Sequence, residues 1–285
     1  ELLVDLYDID PFYGLDIAQP EVRYLRERVR VFPRFVLSVQ GGMHAITRPR
    51  ITRQRTISSI EILTEDYMLE RDDPVGWQVQ VNAAANLLRS QFDLNVGIGA
   101  SRMSYRYTGQ YDNVPTPDGA REAATVTFRE KQWWMHLPVF LSYNLVNINK
   151  IVDARFVPYV YGGFAIDLLR DPNADINNPR IEFEDVRIPL DDVLFIGDAR
   201  RNVNFSLLAG LGCRFHLKRG FFLIDAQYRA AQRNIVEIDN PLRFPQEEPV
   251  YIDSDFKLSN LSLSAGFGIF LFKAEVNRPL LPLRY

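Results

Sequence analysis

The segment Asn260–Phe272, NLSLSAGFGIFLF, decides the fold. Its odd positions read Leu261, Leu263, Ala265, Phe267, Ile269 and Leu271, and its even positions begin Asn260, Ser262, Ser264, Gly266 and Gly268. A period of two places one set on each face of a strand, so this strand is apolar on one side and small or polar on the other. Working upstream, Phe222, Ile224, Ala226, Tyr228 and Ala230 alternate with Leu223, Asp225, Gln227, Arg229 and Ala231. Before that, Val203, Phe205, Leu207, Ala209, Leu211, Cys213 and Phe215 alternate with Asn204, Ser206, Gly210, Gly212, Arg214 and His216. The same grammar predicts further strands at 34–46, 76–88, 91–107, 124–145 and 155–169. Trp77, Val79, Val81, Ala83, Ala85 and Leu87 form one apolar row, and Phe92, Leu94, Val96, Ile98 and Ala100 another.

The gaps between these segments are as informative as the segments. Long ones at 47–75, 108–123, 170–201 and 236–256 alternate with short ones at 89–90, 146–154 and 217–220. An outer-membrane barrel with both termini periplasmic has this pattern, with short periplasmic turns and long extracellular loops. The expected fold is all-β: an eight-stranded antiparallel transmembrane β-barrel over residues 34–273 in the outer membrane of a Gram-negative bacterium. A soluble carrier barrel is the structural rival, because alternation alone does not say which face points inward. Two features favour the membrane. The polar face is filled by Gly, Ser, Asn, Gln and Ala, where a solvated exterior would carry Lys, Glu and Thr. Aromatic residues gather near strand ends (Phe35, Trp77, Phe92, Trp133, Trp134, Tyr143, Phe156, Phe215 and Phe272), as an interfacial girdle would.

Composition agrees. No run of 18 or more apolar residues offers a transmembrane helix. The formal charge of −3 and the lack of a basic stripe speak against nucleic acid as a partner. The chain opens at Glu1 without an apolar leader, which reads as a processed chain. The single cysteine, Cys213, sits within a strand-like run and has no activating cluster beside it.

With the apolar face toward lipid, the lumen is expected to hold a network of Asp93, His136, Asp167, Arg214, Asp225 and Arg229, together with Arg233, Gln80, Asn82, Tyr159, Tyr161 and Gln227. Charges of both signs in so narrow a space should pair, because a lone buried charge is strongly unfavourable. An eight-stranded interior is about wide enough for side chains to fill, so a plugged lumen is favoured over a conducting pore.

Three surfaces could carry chemistry. In the 170–201 loop, Asp171, Asn173, Asp175, Asn177 and Glu182 occupy positions 1, 3, 5, 7 and 12 of an EF-hand-like loop, for which calcium is the cation. Against it, Ile176 stands where the sharp turn wants Gly, Pro172 and Pro179 stiffen the loop, and Asx-turns explain the same composition. No other cofactor is implied. A lipid-modifying enzyme would need Ser or His near the membrane rim, and His44, Ser101 and Ser104 lie at suitable strand ends. No spacing ties the three together, so no catalytic residue is assigned. The first long loop sets Arg48, Arg50, Arg53 and Arg55 against Glu61, Glu65, Asp66, Glu70, Asp72 and Asp73, which reads as a self-paired hairpin or a contact with lipopolysaccharide phosphates.

A minimal barrel needs neither tail. Residues 1–33 read as a periplasmic segment with a short helix at 20–31, begun by Pro20, and 274–285 as an extended periplasmic tail. Their large apolar residues, Leu6, Tyr7, Phe12, Tyr13, Leu25, Leu280 and Tyr285, are expected to contact other envelope proteins.

In its strand grammar over 34–273, including FVPYVYGGFAIDL at Phe156–Leu168 and LSLSAGFGIFLF at Leu261–Phe272, the chain resembles the PorT-like family of small outer-membrane barrels, some linked to type IX secretion. The resemblance implies a non-enzymatic accessory barrel in a secretion, assembly or uptake complex, with outer-membrane lipid and lipopolysaccharide around it. A lipid-modifying enzyme and a small pore or ligand-binding barrel are the alternative expectations.

Overall fold

The computed structural model describes residues 29–47, 50–53, 61–62, 76–87, 91–115, 121–146, 155–170, 176–183, 187–189, 197–217, 220–237, 239, 243–244, 251–252 and 255–276. Eight strands form the wall: β1 (Val29–Ile46), β2 (Gly76–Leu87), β3 (Phe92–Pro115), β4 (Arg121–Asn144), β5 (Phe156–Leu169), β6 (Val203–His216), β7 (Gly220–Ala231) and β8 (Asn260–Val276). Each pairs antiparallel with the next in the chain. The last pairs with the first, with Val39 opposite Phe267, and this closes an eight-stranded barrel.

Burial decides which face is inside. Inward positions are polar and buried: Gln40 and His44 on β1, Gln78, Gln80 and Asn82 on β2, Ser262 and Ser264 on β8. Outward positions are apolar and exposed all round the wall, from Met43 (66 %) and Leu263 (62 %) to Leu211 (62 %) and Ile98 (51 %). A soluble protein rarely shows a contiguous apolar patch above a few hundred Å². A continuous apolar belt around a polar interior is the arrangement of a membrane-spanning barrel, and the soluble rival falls.

Two proline positions show the ladder adapting. Pro33 donates no N–H, and the β1–β8 register slips between Pro33 and Phe35. Inside β4, Pro138 faces the lumen, and the β3–β4 pairing skips from Val96–Val139 to Gly99–His136.

The structure also corrects the reading of the connections. Residues 108–123 are expected as a loop, but β3 and β4 stay paired through Thr108–Thr127 out to Pro115–Arg121. Within 170–201, Ile176–Phe183 pairs with β4, and Arg187–Pro189 pairs with that strand in turn. On the other flank Glu61–Ile62 pairs with β3. The result is a five-stranded wing that rises past the belt on one side of the long-loop mouth. Polar β-branched runs such as Thr125–Thr127 lack the apolar alternation that marks a membrane strand, yet they pair well outside it. At the other end the wall begins at Val29, so residues 29–31 of the expected helix are strand, held by Ala274–Val276 of β8.

Candidate functional site: the lumen spine

Inward side chains of five strands form one polar column along the barrel. At the terminus end, Arg214 on β6 donates to Asp93 on β3 at 2.7 Å. The Asn144 side-chain amide donates to the same carboxylate at 3.3 Å. The Arg214 guanidinium also lies over the Tyr159 ring, 4.7 Å from its centroid, and within 5.5 Å of the Phe221 ring. Midway, Asp225 on β7 accepts from the Tyr159 hydroxyl (3.0 Å) and the Tyr161 hydroxyl (2.7 Å), so two phenols stand where a cation might. Gln227 donates to the Tyr161 oxygen at 3.2 Å, and its own oxygen accepts from Arg229 at 3.4 Å. Arg229 donates to Asp167 on β5 at 3.0 Å. The column thus links Asp93 to Asp167 through alternating acceptors and donors, flanked at mid-depth by Phe140, Ala165 and Leu208.

At Asp167 the column meets a group that resembles hydrolytic machinery. His136 Nδ1 donates to Asp167 at 2.7 Å, which leaves Nε2 to accept from the Ser101 hydroxyl at 2.6 Å. This is the order of contacts in a nucleophile–base–carboxylate triad. Its surroundings differ from those of such a site. Ser101 is 1 % exposed and His136 3 %. The Ser101 backbone lies in ladders on both sides, opposite Gln78 and Trp134, so its N–H is not free to receive an oxyanion. Asp167 is also held by Arg229 and by the Ser206 hydroxyl. The group can order a proton between Ser101 and His136, and it ties β3, β4, β5, β6 and β7 together.

Above it, Glu130 on β4 is wholly buried and accepts both from Tyr105 and from Gln132. Arg200, from the connection before β6, clasps the same carboxylate with Nε and Nη2 at 2.9 and 2.8 Å. Neither side chain of the pair has any solvent exposure. The Phe256 ring meets Tyr105 edge-on at 5.7 Å, and Ile235 N donates to the Phe256 carbonyl at 3.0 Å. The β5–β6 and β7–β8 connections thereby converge over the mouth.

The expected lumen residues Asp93, His136, Asp167, Arg214, Asp225, Arg229, Gln80, Asn82, Tyr159, Tyr161 and Gln227 are all inside. Arg233 is not; it lies beyond the end of β7 and is exposed. Trp134, expected in the girdle, points into the lumen and donates to Gln132 at 2.8 Å. His44 is inward but does not join Ser101; its Nε2 donates to the Arg102 carbonyl at 2.9 Å. The Glu130–Arg200 clasp was missed, although the inward parity of Glu130 beside Gln132 was a signal that a buried carboxylate wanted a partner. Of the calcium candidates, Asn177 and Glu182 fall on the strand Ile176–Phe183, while Asp171, Asn173 and Asp175 lie outside the described residues. The tail residues Leu6, Tyr7, Phe12, Tyr13, Leu25, Leu280 and Tyr285 also lie outside them.

No family model and no curated protein matches the chain. Among solved structures it is similar to Neisserial surface protein A, at 7 % identity and a TM-score of 0.37, over 85 % of this chain and 99 % of that one. It is also similar to the N-terminal β-barrel domain of Pseudomonas aeruginosa OprF, at 9 % identity and 0.33, over 83 % and 97 %. A third is the Escherichia coli outer-membrane protease OmpT, at 10 % identity and 0.35, over 85 % and 96 %. The chain's own strand closure and its apolar belt establish the eight-stranded transmembrane barrel.

Proposed function

We propose that the chain is a non-enzymatic structural or accessory barrel of an outer-membrane secretion, assembly or uptake complex, with its termini periplasmic and its long connections outside. The observation that carries this reading is the division of labour in the molecule. The lumen is crossed by side chains that pair and hydrogen-bond with one another, and the elaborated part is the paired wing beyond the belt. A wall sealed by its own side chains anchors, and a projecting sheet presents backbone and side chains to other proteins. A secretion machine is the particular setting that the PorT-like resemblance adds.

The test is a mild-detergent pull-down of the full chain, of a variant with Arg106 joined to Arg129 through a two-residue turn, and of a variant lacking residues 1–28. Arg106 and Arg129 face each other across the ladder, so the shortened hairpin keeps its register. A stoichiometric partner lost from either variant, with the barrel still folded by circular dichroism, supports the proposal. A chain that elutes alone, or a partner retained by both variants, rejects it.

The Ser101–His136–Asp167 geometry favours a second reading, a hydrolase acting on membrane lipid after the mouth opens. It requires Ser101 to react with a fluorophosphonate probe in the folded barrel, and an unlabelled Ser101 ends it.

A further inference from the structure

On the outer face of the wall, four neighbouring strands place aromatic and cationic side chains alternately in one row. Trp77 on β2 is opposite Arg102 on β3, and Arg102 is opposite Trp133 on β4. Arg170, just past β5, donates its backbone N–H to the Trp133 carbonyl at 3.0 Å. The Arg102 guanidinium lies over the Trp133 ring, 5.8 Å from its centroid, and the two indoles meet edge-on at 5.0 Å. One rung farther from the belt, Ser104 is opposite Lys131. One rung beyond that, Arg106 is opposite Arg129. On the membrane side the next rung is Val79, Ala100, Met135 and Leu168, wholly apolar. The wall therefore turns from hydrocarbon-compatible to cationic within a single rung.

Among the described residues, Arg102, Lys131 and Arg170 are not spent on ion pairs with the protein. Every buried carboxylate of the spine faces the lumen, on the other side of the wall. Strands lie about 4.8 Å apart, so Arg102 and Arg170 are roughly 10 Å apart at the backbone, with Lys131 about 7 Å above the tryptophan between them. Tryptophan settles at the level of lipid headgroups, and cations there reach for phosphate oxygens.

We infer that Arg102, Lys131 and Arg170, framed by Trp77 and Trp133, form a binding site for the phosphate of an anionic membrane lipid in the leaflet at the long-loop end. The acyl chains of such a lipid lie along the Val79–Ala100–Met135–Leu168 rung and the belt below it. Arginine binds phosphate through paired N–H donors, and the indole beneath the Arg102 guanidinium limits where that group can go. Occupancy would fix a lipid beneath the wing, because β3 and β4 supply both.

The test uses the full chain folded into phosphatidylcholine vesicles containing a trace of pyrene-labelled lipid, with energy transfer from tryptophan to pyrene as the readout. Pyrene-labelled phosphatidylglycerol should transfer at least about fivefold more than pyrene-labelled phosphatidylcholine at equal content, since a single cation at an anionic surface contributes about that factor. The triple variant Arg102→Gln, Lys131→Gln, Arg170→Gln should bring the two probes level, with its fold checked by circular dichroism. Arg34→Gln, on an exposed arginine at the opposite rim, should keep the preference. Equal transfer from both probes in the unaltered chain overturns the proposal, as does a preference that survives the triple change. A preference abolished by millimolar inorganic phosphate at constant ionic strength assigns the site to free phosphate and also overturns it.

Discussion

Arg214 has three partners: the Asp93 carboxylate, the face of Tyr159 and the face of Phe221. Removing it leaves Asp93, 1 % exposed, without its cation. Arg214→Met is expected to destabilise the folded barrel by about 3–5 kcal/mol. Adding Asp93→Leu should restore most of that loss, because the uncompensated charge goes with it. Urea unfolding in lipid vesicles measures both, and a double variant no more stable than the single one would refute the pairing argument. Ser101→Ala removes one neutral hydrogen bond and should cost only about 1 kcal/mol in the same assay. Most of this network was legible from strand parity, because in a closed wall every second side chain has to face inward. Arg200 was not, since a residue in a connection has no period to read. Trp134 was misplaced for a related reason: clustering by position along the chain ignores that Trp133 and Trp134, being adjacent, point to opposite faces.

Among the strands, β3 and β4 stand out, at 24 residues each against 12 for β2 and β7. The alternation rule finds only the part of a strand whose two faces meet different solvents. Beyond the belt both faces meet similar surroundings, so the pattern fades while the hydrogen-bonded ladder continues. That is why 108–123 reads as a loop although 108–115 and 121–123 continue the paired strands. Close approach between strands sets another limit. A Cβ at Gly163 on β5 would sit 2.2 Å from the Val139 carbonyl oxygen and 2.5 Å from the Phe140 Cα, both backbone atoms of β4. Gly163→Ala is therefore expected to cost about 1–3 kcal/mol, and Gly163→Val to prevent the β4–β5 seam from forming. Heat-dependent gel mobility of the refolded protein reports this directly; a fully folded Gly163→Val barrel would mean that the seam has slack.

Taken whole, the molecule is closed laterally by the β1–β8 seam, and the spine and the Arg200 clasp cross its lumen. A planar bilayer containing the folded chain should show no steady conductance. Removing the Arg200 clasp with Arg200→Ala should leave it silent, because the Asp167–Arg229 and Asp93–Arg214 pairs still cross the lumen. Stable channels in either protein would overturn the sealed-lumen account.

The unequal wall also has a mechanical meaning. The ladder that builds the wing runs down, with one bulge and one proline gap, to the Phe92–Tyr143 pair at the opposite end of the barrel. A pull on the hairpin tip is therefore passed along two strands whose outer neighbours, β2 and β5, grip them through bonds perpendicular to the pull. Such bonds share the load in shear and do not open one after another. A pull on the wing would thus load the wall in shear and would not peel it strand by strand.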